Sequence, residues 1–170
     1  MKYISIMALG ENGELGNKGK LPFDLIKDRQ FFWKHVAGKI ILCGRKTYEA
    51  IRKNLKEASL GVVVLSEQKW YHGKLAENSY CVPNITEALL KIGYINKNNA
   101  DVLIIGGGSV FNQTKHLWDE AYITHVESEK EIEADVHLSD VLEGTTINQG
   151  QIVYKGKEGE LHYTIVHYTR

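Results

Sequence analysis

"VLIIGGGSVF", residues 102–111, runs four apolar residues into three glycines and then into Ser109, Val110 and Phe111. The apolar run has the length of a strand buried on both faces, and helical spacing begins after the glycines. The stretch therefore reads as a strand, a tight turn and a helix start. Such a turn is either a plain connection needing positive φ or a place where a phosphate-bearing ligand approaches the backbone. Gly106 and Gly108 are followed by Phe111, so the GxGxxG fingerprint fails at its last position. No glycine-rich stretch leads into Lys-Ser or Lys-Thr at P-loop spacing. Locally, both readings stay open.

The same strand-then-helix grammar extends in both directions. Short Ile- and Val-rich runs occur at 3–9, 39–43, 61–66, 79–82, 101–105 and 120–127. Between them, helical spacing appears at 24–36, with Asp24 as the expected N-cap, and at 46–51. It appears again at 84–93, where Asn84 and Glu87 have capping-box spacing and Gly93 closes the segment, and at 108–117. Strands alternating with helices predict right-handed crossovers and a parallel sheet covered on both faces. The tail differs: "GQIVYKG" and "ELHYTIVHY" alternate apolar with polar around a short turn, which predicts an antiparallel hairpin. The expected fold is α/β: a mostly parallel central sheet of about eight strands, four flanking helices and a C-terminal antiparallel hairpin, all in one domain over residues 1–170.

Composition narrows the partners. Lys plus Arg and Asp plus Glu balance at 21 each among 170 residues, which removes the basic footprint of a nucleic-acid binder. No apolar stretch approaches membrane-spanning length, and the N-terminus lacks a signal-like apolar core. Two isolated cysteines, Cys43 and Cys81, sit in strand-like runs and read as buried reduced thiols of a cytoplasmic protein. No apolar stripe is left without a role, which favours a monomer. The histidines show no HExxH or Cys/His ligand spacing, so no metal site is expected.

Two further features carry chemistry. "IILCGRKTYEAI" repeats the strand–glycine–helix pattern, with Gly44 followed by Arg45, Lys46 and Thr47. A helix N-terminus with two cations beside it suits a phosphate. Asp28 falls on one helical face with Leu25, Phe32 and Val36, placing a carboxylate in an apolar stripe. It is either a first-turn acid facing solvent or an acid at the base of a cleft, hydrogen-bonded to an amidine-like ligand edge.

Taken in order along the chain, "ISIMAL" leading to Gly16, "KLPF" at 20–23, Asp28 with Phe32, "GRKT" at 44–47, "IIGGGSVF" at 104–111, "ITHVE" at 123–127 and "ADVH" at 134–137 resemble the bacterial-type dihydrofolate reductase family. The resemblance implies NADPH-dependent reduction of dihydrofolate, with antifolates as further ligands. It implies that Asp28, supported by Thr124 and covered by Leu21, forms the catalytic group. Ile6, Ala8, Arg29, Phe32, Ile51, Leu55 and Ile105 would line the substrate site with Asp28 and Thr124. Ala8, Leu15, Gly16, Gly44, Arg45, Lys46, Thr47, Ser66, Gly106, Gly107, Gly108, Ser109, Val110 and Phe111 would hold the cofactor. The Gly106–Gly107 peptide is expected to be cis, and residues 12–23 are expected to form a lid.

The chain departs from that family's pattern in four places. Phe23 stands where tryptophan is usual. No arginine occurs at 58–60, where one would grip the folate carboxylate. Arg29 stands where an apolar residue is usual, and Glu67 follows Ser66 near the expected cofactor phosphate. Two alternatives follow. One is a same-fold NADPH reductase of a pyrimidine-ribosyl riboflavin precursor, whose substrate has no glutamate tail. The other is a nucleotide-binding module without turnover.

Overall fold

The computed structural model describes residues 1–170. The strands are β1 (Tyr3–Gly10), β2 (Glu14–Gly16), β3 (Ile40–Gly44), β4 (Gly61–Leu65), β5 (Gly73–Ala76), β6 (Ser79–Val82), β7 (Val102–Gly106), β8 (Glu120–Ser128), β9 (Val136–His137), β10 (Gln149–Glu158) and β11 (Leu161–Thr169). The helices are α1 (Ile26–Val36), α2 (Arg45–Ala58), α3 (Ile85–Ile95) and α4 (Gly108–Thr114). Nine strands form one sheet in the order β10-β11-β8-β1-β7-β3-β4-β6-β5, and β2 pairs with β9 separately. The five central pairings, from β8–β1 to β4–β6, are parallel. The C-terminal hairpin β10–β11 adds antiparallel strands beside β8, as its alternating pattern predicts. The sheet has one strand more than the eight expected. β5 is weakly apolar "GKLA", and its antiparallel pairing to β6 follows a turn with Asn78 at φ 54°.

Side chains alternate across the sheet with the two-residue period of a strand. Met7, Ile104 and Ile123 join Ala88, Ile92 and Phe111 under α3 and α4. Ile6, Ile105 and Leu103 join Val36, Tyr48 and Leu55 under α1 and α2. The strands thus read as continuous apolar runs because both faces are covered.

Two helix boundaries differ from expectation. The α1 N-cap is Leu25, with no side-chain cap, while Asp24 forms an ion pair with Arg29 at 2.6 Å. α2 continues to Ala58 instead of ending at Ile51. "RKNLKEA" holds good helix formers and no glycine or proline, so nothing stops the helix. The α3 cap is as expected, with Asn84 accepting a hydrogen bond from the Glu87 N–H at 2.9 Å. That helix passes through Gly93 to Ile95. No helix is long and apolar enough to cross a membrane.

Candidate active site

β1, β3 and β7 run parallel and side by side about the point where sequence order breaks, so their carboxyl ends share one edge of the sheet. Ligands in open α/β sheets bind at such an edge. The two glycine turns meet there. Cys43 is in register with Gly106, and a Cβ placed on Gly44 would lie 3.6 Å from the Gly107 nitrogen and 3.7 Å from the Gly106 oxygen. What the sequence showed as two separate turns is one continuous notch walled by backbone.

The three glycines of the opening stretch have different jobs. Gly106 has φ 110°, and a Cβ there would stand 2.9 Å from the Phe111 ring, so both conformation and packing demand glycine. The Gly106–Gly107 peptide is cis. Gly107 has φ −78°, and an added Cβ would meet only the Thr47 hydroxyl at 3.9 Å. The fold does not need glycine at Gly107, so the space beside it is left for something else. Gly108 faces Val136 and Leu15, which places the β2–β9 ribbon against the turn, with Gly16 paired to Val136.

The helix-side groups of the notch follow from these turns. Arg45 opens α2 and pairs with Glu49 at 3.3 Å. Its guanidinium lies 5.9 Å from the ring centroids of both Trp70 and Tyr71. Lys46 is exposed, and Thr47 and Ser66 are half-buried. Ser109 is exposed, whereas Val110 and Phe111 are core residues. The Phe111 ring packs against Trp118, and its N–H donates to the Gly107 oxygen at 3.0 Å. Phe111 therefore forms the floor of the turn, and its side chain is not available to a ligand.

Next to the notch, on the α1–α2 face, lies the carboxylate. Thr124 of β8 donates its hydroxyl proton to Asp28 Oδ1 at 2.5 Å. Ala8 of β1 is in register with Thr124, so strand and helix meet at this contact. Asp28 is half-buried. Burial pushes its carboxyl above the ordinary carboxylate range, the Thr124 hydrogen bond opposes that, and the Glu158 carboxylate adds to the rise. Asp28 is held against the sheet by Thr124 rather than left in bulk solvent, which argues against the solvated-acid reading. Ile6, Ala8 and Ile105 line the same sheet face, with half-buried Phe32 and Ile51 from the two helices. Leu21 is 57 % exposed on the loop before α1.

Two expected substrate contacts have packing or ion-pair partners of their own. Leu55 is fully buried in the core beneath α2, because the lengthened helix turns it inward one step after Tyr48 and Ile51. Arg29 points to Asp24 and is exposed. Trp70, Tyr71 and Glu158 were not singled out by sequence reasoning. The first two lie in a polar stretch with no periodicity, and Glu158 is brought to α1 across 132 residues by the C-terminal hairpin.

Glycine turns at the carboxyl edge of a parallel sheet, cations at a helix start and a half-buried acid on the adjoining face define a nucleotide-binding class of site. A family model described as dihydrofolate reductase matches residues 2–170. The chain belongs to the dihydrofolate reductase family. It is 34% identical over 127 residues to the dihydrofolate reductase of Buchnera aphidicola subsp. Baizongia pistaciae, covering 75% of this chain and 72% of that one. It is 34% identical over 120 residues to that of Enterococcus faecium, covering 68% of each. Among solved structures, the Enterococcus faecalis dihydrofolate reductase in complex with NADP(H) and RAB-propyl has the same fold. Its TM-score is 0.76 at 22% identity, with 99% of this chain and 96% of that chain covered.

Proposed function

We propose that this chain, acting as one cytoplasmic domain, reduces dihydrofolate to tetrahydrofolate at the cleft between Asp28 and the Gly44–Gly106 notch. The observation that carries the reading is the Thr124–Asp28 hydrogen bond at 2.5 Å on an otherwise apolar sheet face. A carboxylate held there matches the 2-amino group and adjacent ring nitrogen of a pterin, which present two donors side by side. Thr124 fixes which oxygen faces inward. Ile6, Ala8, Phe32, Ile51 and Ile105 exclude water from the ring, and Leu21 with the segment carrying Leu15 and Gly16 covers it.

NADPH, when bound, supplies the hydride that reaches the pterin carbon. The chain's residues fit that cofactor: the open side of Gly107 admits a close backbone approach, and Arg45, Lys46, Thr47 and Ser66 supply cations and hydroxyls for its phosphates. Val110 and Phe111 support the turn from below. The protein's contribution is to hold both rings face to face and to keep bulk water out. The Asp28 carboxylate, facing the ring, favours the protonated form of the pterin ring nitrogen. Water admitted past Leu21 delivers the proton.

The test is the purified protein with NADPH and dihydrofolate, followed by loss of nicotinamide absorbance. Rapid loss supports the reading. Consumption only with a pyrimidine-ribosyl substrate supports the same-fold alternative, whose substrate would explain the absence of an arginine at residues 58–60. Tight NADPH binding without consumption by either substrate would leave a binding module.

A further inference from the structure

Glu158 ends β10 at the tight turn of the C-terminal hairpin and is opposite Leu161. Its Oε1 accepts a hydrogen bond from the Ile26 N–H at 2.9 Å. Ile26 is the first residue of α1, a helix whose own N-cap, Leu25, offers no side-chain acceptor. The free amides of a helix start need an acceptor, and a carboxylate there is also favoured by the helix dipole. The hairpin therefore caps the helix that carries Asp28, two residues further on. The second oxygen of Glu158, Oε2, is buried without a hydrogen-bond partner. A carboxylate in that setting stands at the start of the helix, two residues from the one that carries the Asp28 carboxyl.

We propose that Glu158 is a positioning residue for the reduction: it seats the first turn of α1 and, as a second acid behind Asp28, biases the pterin site toward its protonated state. The surroundings leave few other sources for such a bias. The groups facing Asp28 are the neutral Thr124 hydroxyl and Glu158. The groups facing Glu158 are Asp28, Tyr163 and, beside Tyr163, Tyr154. Two cations at this end are engaged elsewhere, Arg29 with Asp24 at 2.6 Å and Lys130 with Glu160 at 2.9 Å. The Asp28 carboxyl is raised by burial first and by Glu158 in addition, and the Tyr163 hydroxyl is also raised, by burial, then Tyr154, then Glu158.

The inference rests on Asp28 being the pterin acid, and the experiment separates the two. Glu158→Gln keeps an acceptor for the Ile26 N–H and removes the charge, whereas Glu158→Ala removes both. The first measurement is the titration of the Asp28 side-chain carboxyl by carbon-13 NMR in the free protein. The second is the pH profile of dihydrofolate turnover. The expected result is an Asp28 midpoint at lower pH in both variants, with the alkaline fall of turnover moving down in parallel. Thermal stability should drop in Glu158→Ala and not in Glu158→Gln. An unmoved Asp28 midpoint in both variants overturns the inference, because a purely structural cap would change stability alone. Asp28→Asn serves as the control: wild-type turnover in that variant sinks the functional reading itself. Loss of its turnover with an unmoved midpoint in the Glu158 variants sinks only the role of Glu158.

Discussion

Around Gly44 and Gly106 the cleft is made of backbone; around Asp28 it is made of side chains. In the notch, the Gly106 φ of 110° and the approach of Gly44 to the Gly107 nitrogen are set by the register of β3 and β7. Little there can vary without moving the sheet. On the other side, Asp28, Thr124 and Glu158 come from α1, β8 and β10, which are far apart in sequence and meet only through tertiary packing. On the outer wall of that side, α2 runs to Ala58, Leu55 is buried, and residues 58–60 carry no cation. A cofactor shared by many substrates suits a rigid backbone cradle, and substrate choice suits side chains that can be exchanged.

The comparison can be broken first at Asp28. Asp28→Asn should lower dihydrofolate turnover at neutral pH by about a hundredfold or more, the scale of a lost acid–base contribution. Turnover near wild type would remove the side-chain half of the account. Leu55→Ala comes next and probes that wall. A fully buried leucine should cost roughly 2–5 kcal/mol of stability on denaturant unfolding while leaving the KM for dihydrofolate close to wild type. A selective rise in KM with little loss of stability would put Leu55 back in the substrate site.

The glycine pair probes the backbone half. Gly106→Ala forces a left-handed conformation and a 2.9 Å contact with Phe111, so it should destabilise the protein by about 1–3 kcal/mol. Gly107→Ala has open space on the protein side and should leave the Tm nearly unchanged while weakening NADPH binding. Calorimetric Kd values alongside melting curves read both effects. The reverse pattern would make the stretch a plain turn.

The smallest effect is on stability against pH. The Asp28 carboxyl is raised in the folded protein, so the folded chain keeps this proton to higher pH than the unfolded chain does. Wild-type stability therefore falls as pH rises from the ordinary carboxylate range through the raised folded value, and the cost is absent below that range. Asp28→Asn lacks the cost, so its stability relative to wild type should climb across that window and stay level above it. Urea unfolding at several pH values measures the difference, and a flat difference would mean that burial leaves the carboxyl unshifted.

The parallel sheet was legible because each strand is a continuous apolar run and each helix has its own spacing. Asn84 and Glu87 even marked the start of α3. The adjacency of the two glycine turns was not legible, since it depends on β7 inserting between β1 and β3. Asp28 stood out as a charge on an apolar face, but its solvated and cleft-facing readings could be separated only by Thr124, 96 residues away. The length of α2 could have been read from "RKNLKEA", which contains no helix breaker. Glu158 had no local signal at all: it is one acid among several in a polar hairpin turn, and only the pairing of β10 with β11 carries it to the Ile26 amide.

The most direct test of a cleft with separable halves is to titrate NADPH and a diaminopyrimidine antifolate, each alone, into wild-type protein and Asp28→Asn by calorimetry. Loss of the carboxylate partner of a half-buried cationic ring should weaken the antifolate by at least about 2 kcal/mol, roughly thirtyfold, while NADPH binds as before. Equal weakening of both ligands, or of neither, would contradict the account.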